Sequence, residues 1–465
     1  MLDPYIEAYE LRQLTITRQV RPREVAEFFL NRIERLNPKL GAFMTVTTDR
    51  ALADAARLEQ LDAAAAASMP LYGVAYSLKD LTWTKGIRTT MGSRSFAEFV
   101  PEVDQEIALR LHRAGGILLG KTTTPEFGGR PTTEGGLCPP ARNPWNLAHT
   151  AGGSSGGAAS ALAAGLGPIA EGSDGGGSIR IPAACCGVVG LKPTRGRVSF
   201  APIIGEAWAG FATSGPMGRS VRDVAMMLDV LAGTPPVGEP YWAPVPAEPF
   251  SAAVERRPRK LNLARLSETA LATVDSETLA AFDSACDTFK SMGHTVEPIK
   301  IDPARALVDS AITIMCSGLA SLPIFDASQM DPVIRGFRDH GTSISAADYI
   351  NAVMRMHNQS REILQRLAAY DALLTPTLTR PAMLLGTMPS GEGRDQEELW
   401  GWLPFTFPFN ATGQPAFSVP NGFTRDGLPI GLQIVGRPAD EATIISIAAA
   451  FEEARPWGDK HPQLG

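Results

Sequence analysis

The 465-residue chain is poor in the residues that build covalent and metallic frameworks. It has five cysteines, at positions 138, 185, 186, 286 and 316, and six scattered histidines. An odd cysteine count without disulfide spacing argues against a secreted, disulfide-stapled scaffold and points to a reducing, cytoplasmic setting. Cys185 and Cys186 are adjacent, whereas paired zinc ligands are separated by intervening residues. The histidines show no HExxH or comparable spacing, so no metal and no other cofactor is expected. A basic surplus is also missing. The net charge is −6, which leaves no electrostatic footprint for nucleic acid. No apolar run reaches the ~18 residues that signal a membrane span. The opening MLDPYIEAYELRQLTITR lacks the basic-then-apolar order of a secretory signal. What remains is an ordinary globular composition, 44% hydrophobic and 20% charged, with ample material for a core.

Glycine, by contrast, is concentrated. Ten of the 45 glycines fall between positions 151 and 180. They form two serine-bearing clusters, Gly152-Gly153-Ser154-Ser155-Gly156-Gly157 and Gly175-Gly176-Gly177-Ser178. The apolar run from Ala158 to Ala170 between them looks packed rather than linker-like. Glycine lets the backbone approach a ligand closely. Two such places beside serines suggest backbone N–H groups and hydroxyls converging on one atom. That is what acyl transfer requires: a nucleophile and a hole of backbone donors for the oxyanion.

Short apolar strands alternate with helical periods along the chain. Helices are expected at 22–36, stopped by Asn37-Pro38, and at 51–67, 105–113, 220–232, 276–291, 304–322, 346–368 and 440–454. Strands are expected at 74–78, 117–119, 260–265, 294–300, 371–376, 416–420 and 430–435. Residues 198–211, including Trp208, read as loop, and 234–259 as a long surface connection. The alternation predicts an α/β fold with helices on both faces of a sheet, formed as a single domain over residues 1–465.

Two motifs bear on the chemistry. Gly115 to Thr122 satisfies the phosphate-loop pattern GxxxxGK[ST]. A phosphate loop must follow a strand and open a helix; here a helix precedes it and Ile117-Leu118-Leu119 is itself strand-like. The second motif is a base for the serines. No histidine lies near either cluster in sequence, but a buried, neutral lysine can serve. Lys79 ends the apolar run VAYSL, where its side chain can enter a crevice at the carboxyl edge of a sheet.

Taken together, the motifs resemble the amidase signature family. They are Gly73-Val-Ala-Tyr-Ser-Leu-Lys79-Asp80, Gly152 to Gly157, and Gly172-Ser-Asp-Gly-Gly-Gly-Ser178-Ile-Arg180-Ile-Pro182, running on to Pro193. Leu374-Thr-Pro-Thr377 and Gly427 to Gly436 extend the likeness, which covers about residues 8–455. The resemblance implies a large mixed sheet flanked by helices, with the signature core at about 65–235 and the substrate region at about 300–415. It implies a Ser-cisSer-Lys triad: Ser178 as nucleophile, Ser154 as the bridging serine after a cis peptide bond, and Lys79 as base. The N–H groups of Gly175, Gly176, Gly177 and Ser178 would form the oxyanion hole. Many family members, including the glutamine-hydrolysing component of the tRNA amidotransferase, have threonine where Gly175 stands. The Gly175–Ser178 form looks more like stand-alone amidases, among them enzymes of aryl amides, nylon-type oligomers and urethanes.

Substrate contacts are expected outside these motifs. Trp400, Trp402, Phe405, Phe407 and Phe409 crowd ten residues, with Pro404 and Pro408 interrupting regular structure. Trp400, Trp402 and Phe405, together with Trp208 and Cys316, are the candidate pocket residues. No basic residue for a substrate carboxylate is evident, so a neutral, apolar or aryl amide or carbamate is the expected small-molecule partner. The chain would act as a monomer or homodimer. The competing readings are an amidotransferase component that needs a partner protein, and an inactive binding protein on the same fold.

Overall fold

The computed structural model describes residues 2–137, 139–323, 326–388 and 395–464; Cys138 lies outside them. One sheet carries eleven strands. In chain order they are β1 Phe43–Val46, β2 Ala75–Lys79, β3 Ile117–Thr122, β4 Ile169–Asp174, β5 Val189–Lys192 and β6 Thr213–Gly218, then β7 Asn262–Arg265, β8 Thr295–Pro298, β9 Ala372–Pro376, β10 Ala416–Phe423 and β11 Pro429–Gly436. Their order across the sheet is β1-β3-β2-β4-β6-β5-β10-β11-β9-β7-β8. β2 runs parallel to both β3 and β4, and β7 parallel to β8 and β9, while the centre is antiparallel. The mixed α/β fold expected from the sequence is the observed one.

Strand side chains alternate between faces, and the core divides accordingly. Tyr76 and Leu78 of β2, Leu118 of β3, and Leu432 and Ile434 of β11 belong to one cluster. It is covered by helices Val221–Ala232, Ser276–Ser291 and Glu441–Ala454. Ile117 and Leu119 point the other way, into the helices Pro22–Leu40 and Thr48–Glu59. Ala170 and Val435 join the remaining cluster, under Gly156–Ala163, Arg180–Cys186, Pro303–Ala320 and Ala346–Leu367. Helices on both faces therefore follow from the period-two alternation of buried strands. Among the described residues, no helix is long and apolar enough to cross a membrane.

Several boundaries differ from expectation. The first long helix passes through Asn37-Pro38 and ends at Leu40, with Gly41 in the left-handed conformation at φ 61°. Proline this near a helix end removes one backbone donor, and the left-handed glycine provides the stop. The alanine-rich 51–67 segment is two helices, Thr48–Glu59 and Ala63–Ser68, because Asp62 caps the second by accepting the Ala65 N–H at 2.8 Å. A further helix, Pro332–Ser343, occupies a stretch whose sequence shows no clear period.

Candidate active site

The site gathers at the carboxyl ends of two adjacent parallel strands. β2 ends in Lys79, and β4 ends in Asp174 just before the second glycine cluster. Lys79 is fully buried. Its Nζ donates to Ser154 Oγ at 2.7 Å and to Ser173 Oγ at 2.9 Å. Burial drives the ammonium well below the ordinary lysine range, while the charges of Glu171 and Asp174 draw part of that shift back. Glu171 pins this strand end: its Oε2 accepts the Lys79 N–H at 3.0 Å and the Thr82 hydroxyl at 2.9 Å. Burial also raises the Glu171 carboxyl.

Ser154 follows a cis peptide bond from Gly153 and precedes the buried helix Gly156–Ala163. A Cβ on Gly153 would lie 2.6 Å from the Thr132 carbonyl carbon, so only glycine fits there. Among the described residues no hydrogen bond joins the Ser154 and Ser178 hydroxyls. Both serines line one cavity, and the Ser155 N–H donates to the Ser178 carbonyl at 3.1 Å.

The second glycine cluster is held by a buried polar network. Arg180 grips Asp174 in a two-pronged contact, Nε to Oδ2 at 2.9 Å and Nη2 to Oδ1 at 2.8 Å. This keeps the Asp174 carboxyl far below the usual range despite full burial. Arg180 also donates to Asn410 Oδ1, Gln433 Oε1 and the Thr406 carbonyl. Asn410 returns its amide to Asp174, and Thr406 Oγ1 donates to the Gly176 carbonyl at 2.7 Å. One expectation is corrected here. The Gly177 N–H donates to Asp174 Oδ1 at 2.7 Å, so it is not free to meet an oxyanion. Among the described residues, no acceptor holds the N–H of Gly175, Gly176 or Ser178.

Two cavities meet at Ser178, and both are also bordered by Gly128, Trp208 and Leu319. One is largely apolar and includes Ile312, Met315, Cys316, Phe337 and Trp400. The other contains Ser154 and Ser173. Of the candidate pocket residues, Trp208, Cys316 and Trp400 line these cavities, and Trp402 and Phe405 line neither. Trp402 is core, with its indole N–H donating to the Arg380 carbonyl at 3.0 Å, and Phe405 is buried in the same cluster. Sequence reasoning missed Met315, Phe337 and Arg130. Arg130, the basic side chain on the apolar cavity, lies 3.6 Å from Asp331, which neutralises it. Ser173 was missed as well; its place within a strand, two residues after Glu171, was the available signal.

The phosphate-loop pattern is accounted for differently. Gly120 and Lys121 lie inside β3, and no helix opens after Thr122. Lys121 is buried and donates to the Thr82 carbonyl and to Thr89 Oγ1. Four cysteines, 185, 186, 286 and 316, are buried free thiols.

A family model described as Amidase matches residues 24–445. An acylamidase of Rhodococcus erythropolis is 36% identical over 98% of this chain and 97% of its own. A glutamyl-tRNA(Gln) amidotransferase subunit of Synechococcus sp. (strain CC9605) is 34% identical over 95% of each chain. A solved structure of 6-aminohexanoate cyclic dimer hydrolase complexed with substrate superimposes with a TM-score of 0.92 at 31% identity, covering 99% of both chains. A buried lysine on a serine, a glycine loop and this breadth of likeness lead to one conclusion: the chain belongs to the amidase signature family of amide hydrolases.

Proposed function

We propose that the protein hydrolyses the C–N bond of neutral amides carrying apolar or aryl groups, through Lys79, Ser154 and Ser178 and an acyl-enzyme. The observation that carries this reading is the buried 2.7 Å contact between Lys79 and Ser154, opening on the same cavity as Ser178. A neutral Lys79 amine accepts the Ser154 proton as Ser154 Oγ accepts that of Ser178. The two hydroxyls close up when substrate arrives, as catalytic hydrogen bonds do. Ser178 Oγ bonds to the carbonyl carbon, and the carbonyl π pair moves onto oxygen, facing the N–H groups of Gly175, Gly176 and Ser178. Each such donor is worth about 3–4 kcal/mol in acyl transfer. Collapse breaks the C–N bond, and the relay returns the proton to nitrogen. Water then attacks the ester by the same route and frees the acid.

The apolar lining of the cavity with Met315, Phe337 and Trp400 supports a neutral substrate. A carbamate presents the same carbonyl and nitrogen, so small N-aryl urethanes fall within the reading. Release of arylamine from an anilide but none from its matched carbamate would remove them.

The central test uses the purified chain alone. Hydrolysis of simple anilides without a partner protein is expected, together with labelling of Ser178 by a fluorophosphonate. Lys79→Ala should lower kcat/KM by about 10²–10⁴-fold. Full activity of that variant at about pH 8, where an ordinary lysine is charged, would overturn the base assignment.

A further inference from the structure

We propose that Trp208 is a partition that decides which acyl groups the site accepts, and that Gly175 and Gly318 are the seat that holds it. The proposal rests on the amide-hydrolysis reading above. Trp208 borders both cavities where they meet at Ser178. Its indole is clasped from two sides. A Cβ on Gly175 would lie 2.6 Å from Trp208 Cζ3 and 2.7 Å from Cε3. A Cβ on Gly318 would lie 2.3 Å from Cδ1 and 2.5 Å from Nε1. Atoms do not approach that closely, so any side chain at either position evicts the ring. The glycine at 175 therefore has a use besides its N–H: it leaves the space the indole fills.

The backbone under the ring is equally constrained. Trp208 and Ala209 both have left-handed φ, 57° and 52°, a conformation that persists only when surroundings enforce it. Glu206 enforces it by accepting the Gly210 N–H at 2.8 Å, and Arg195 by donating to the Gly210 carbonyl at 2.7 Å. Arg195 is anchored in turn on the carbonyls of Asn410 and Ala411. A side chain held this firmly beside the reacting serine acts as a wall.

Chemistry assigns the two sides. The departing nitrogen needs the proton that travels through Ser154, so the amine lies in the cavity containing Ser154 and Ser173. The acyl chain then enters the apolar cavity of Ile312, Met315, Cys316 and Phe337. Trp208 separates the two and limits acyl bulk next to the carbonyl.

The test compares Trp208→Ala, Trp208→Phe and Gly318→Ala with the unaltered protein on para-nitroanilides from acetyl to octanoyl. Trp208→Ala should raise kcat/KM for octanoyl relative to acetyl by about tenfold, the scale on which pocket shape discriminates. Gly318→Ala should move that ratio the same way, because its Cβ displaces the indole. A uniform change across the series in Trp208→Ala, with an unaltered ratio in Gly318→Ala, would overturn the proposal. Should Trp208→Ala fail to fold, unaltered ratios in the other two variants overturn it equally. If the unaltered protein cleaves no anilide, the amide reading fails separately. Labelling rates of Ser178 by fluorophosphonates of rising alkyl length then read the same ratio.

Discussion

Three lysines, Lys79, Lys121 and Lys192, are almost wholly buried, and burial lowers the pKa of each. A perturbed amine therefore does not by itself mark a base. Lys121 is committed to Thr82 and Thr89, and Lys192 donates to the Pro193 carbonyl at 2.9 Å. Lys79 alone of the three holds two serine hydroxyls at a cavity wall. In the sequence all three close apolar strands, and composition cannot rank them. Motif likeness ranks them first, and their placement in space does so independently. Glu171 tunes this base. Its negative charge supports the ammonium form of Lys79, so Glu171→Gln should lower the lysine pKa further. The amide oxygen can still accept the Lys79 N–H. The limb of kcat/KM that rises with pH is expected to move to lower pH. A limb that stays in place or moves to higher pH would show that Glu171 does not set the charge on Lys79.

Elements are legible where one physical signal dominates. The amphipathic period of Pro22–Leu40 and the Asp275 cap of Ser276–Ser291 locate helices within a few residues of those observed. β6 is unreadable because TSGPMG carries two glycines and a proline, residues that local propensity keeps out of strands. Tertiary pairing overrides that. β6 is fully buried, antiparallel to β4 along its length, and pairs with β5 only at Met217 and Gly218. Pro216 thus has one side free. Pro332–Ser343 is hidden for another reason. Only Ile334 and Gly341 of it are buried, so it shows little apolar period, although Asp331-Pro332 is an ordinary helix opening. The end of Pro22–Leu40 offers a test. Gly41 is left-handed, and a Cβ there would sit 2.7 Å from the Pro140 carbonyl oxygen. Gly41→Ala should destabilise by about 1–2 kcal/mol, read as a lowered Tm. An unchanged Tm would mean that another residue stops this helix.

Across the whole molecule, the first helix is tied to the core by a buried carboxylate. Asp223 accepts the Ala8 N–H at 2.8 Å and the Tyr9 N–H at 3.0 Å. Burial and the neighbouring Glu7 push Asp223 up to about 7, and burial pushes Glu452, which holds the Val221 N–H, up to about 8. Both are raised above their unfolded values, so the folded chain binds more protons and loses stability as pH climbs through that range. Asp223→Asn carries no such charge. The decline in Tm between about pH 6 and about pH 9 should be shallower in that variant; parallel declines would sink the assignment. The network around Arg180 has a further consequence, in time rather than space. Lys79, Ser154 and Ser178 are all made in the first half of synthesis, yet Arg180 meets its acceptor on Asn410 230 residues later and Gln433 253 residues later. A ribosome-bound chain thus carries every reacting group before anything fixes the loop that presents them. Hydrolytic competence is withheld from the nascent polypeptide until its final strands have emerged and docked.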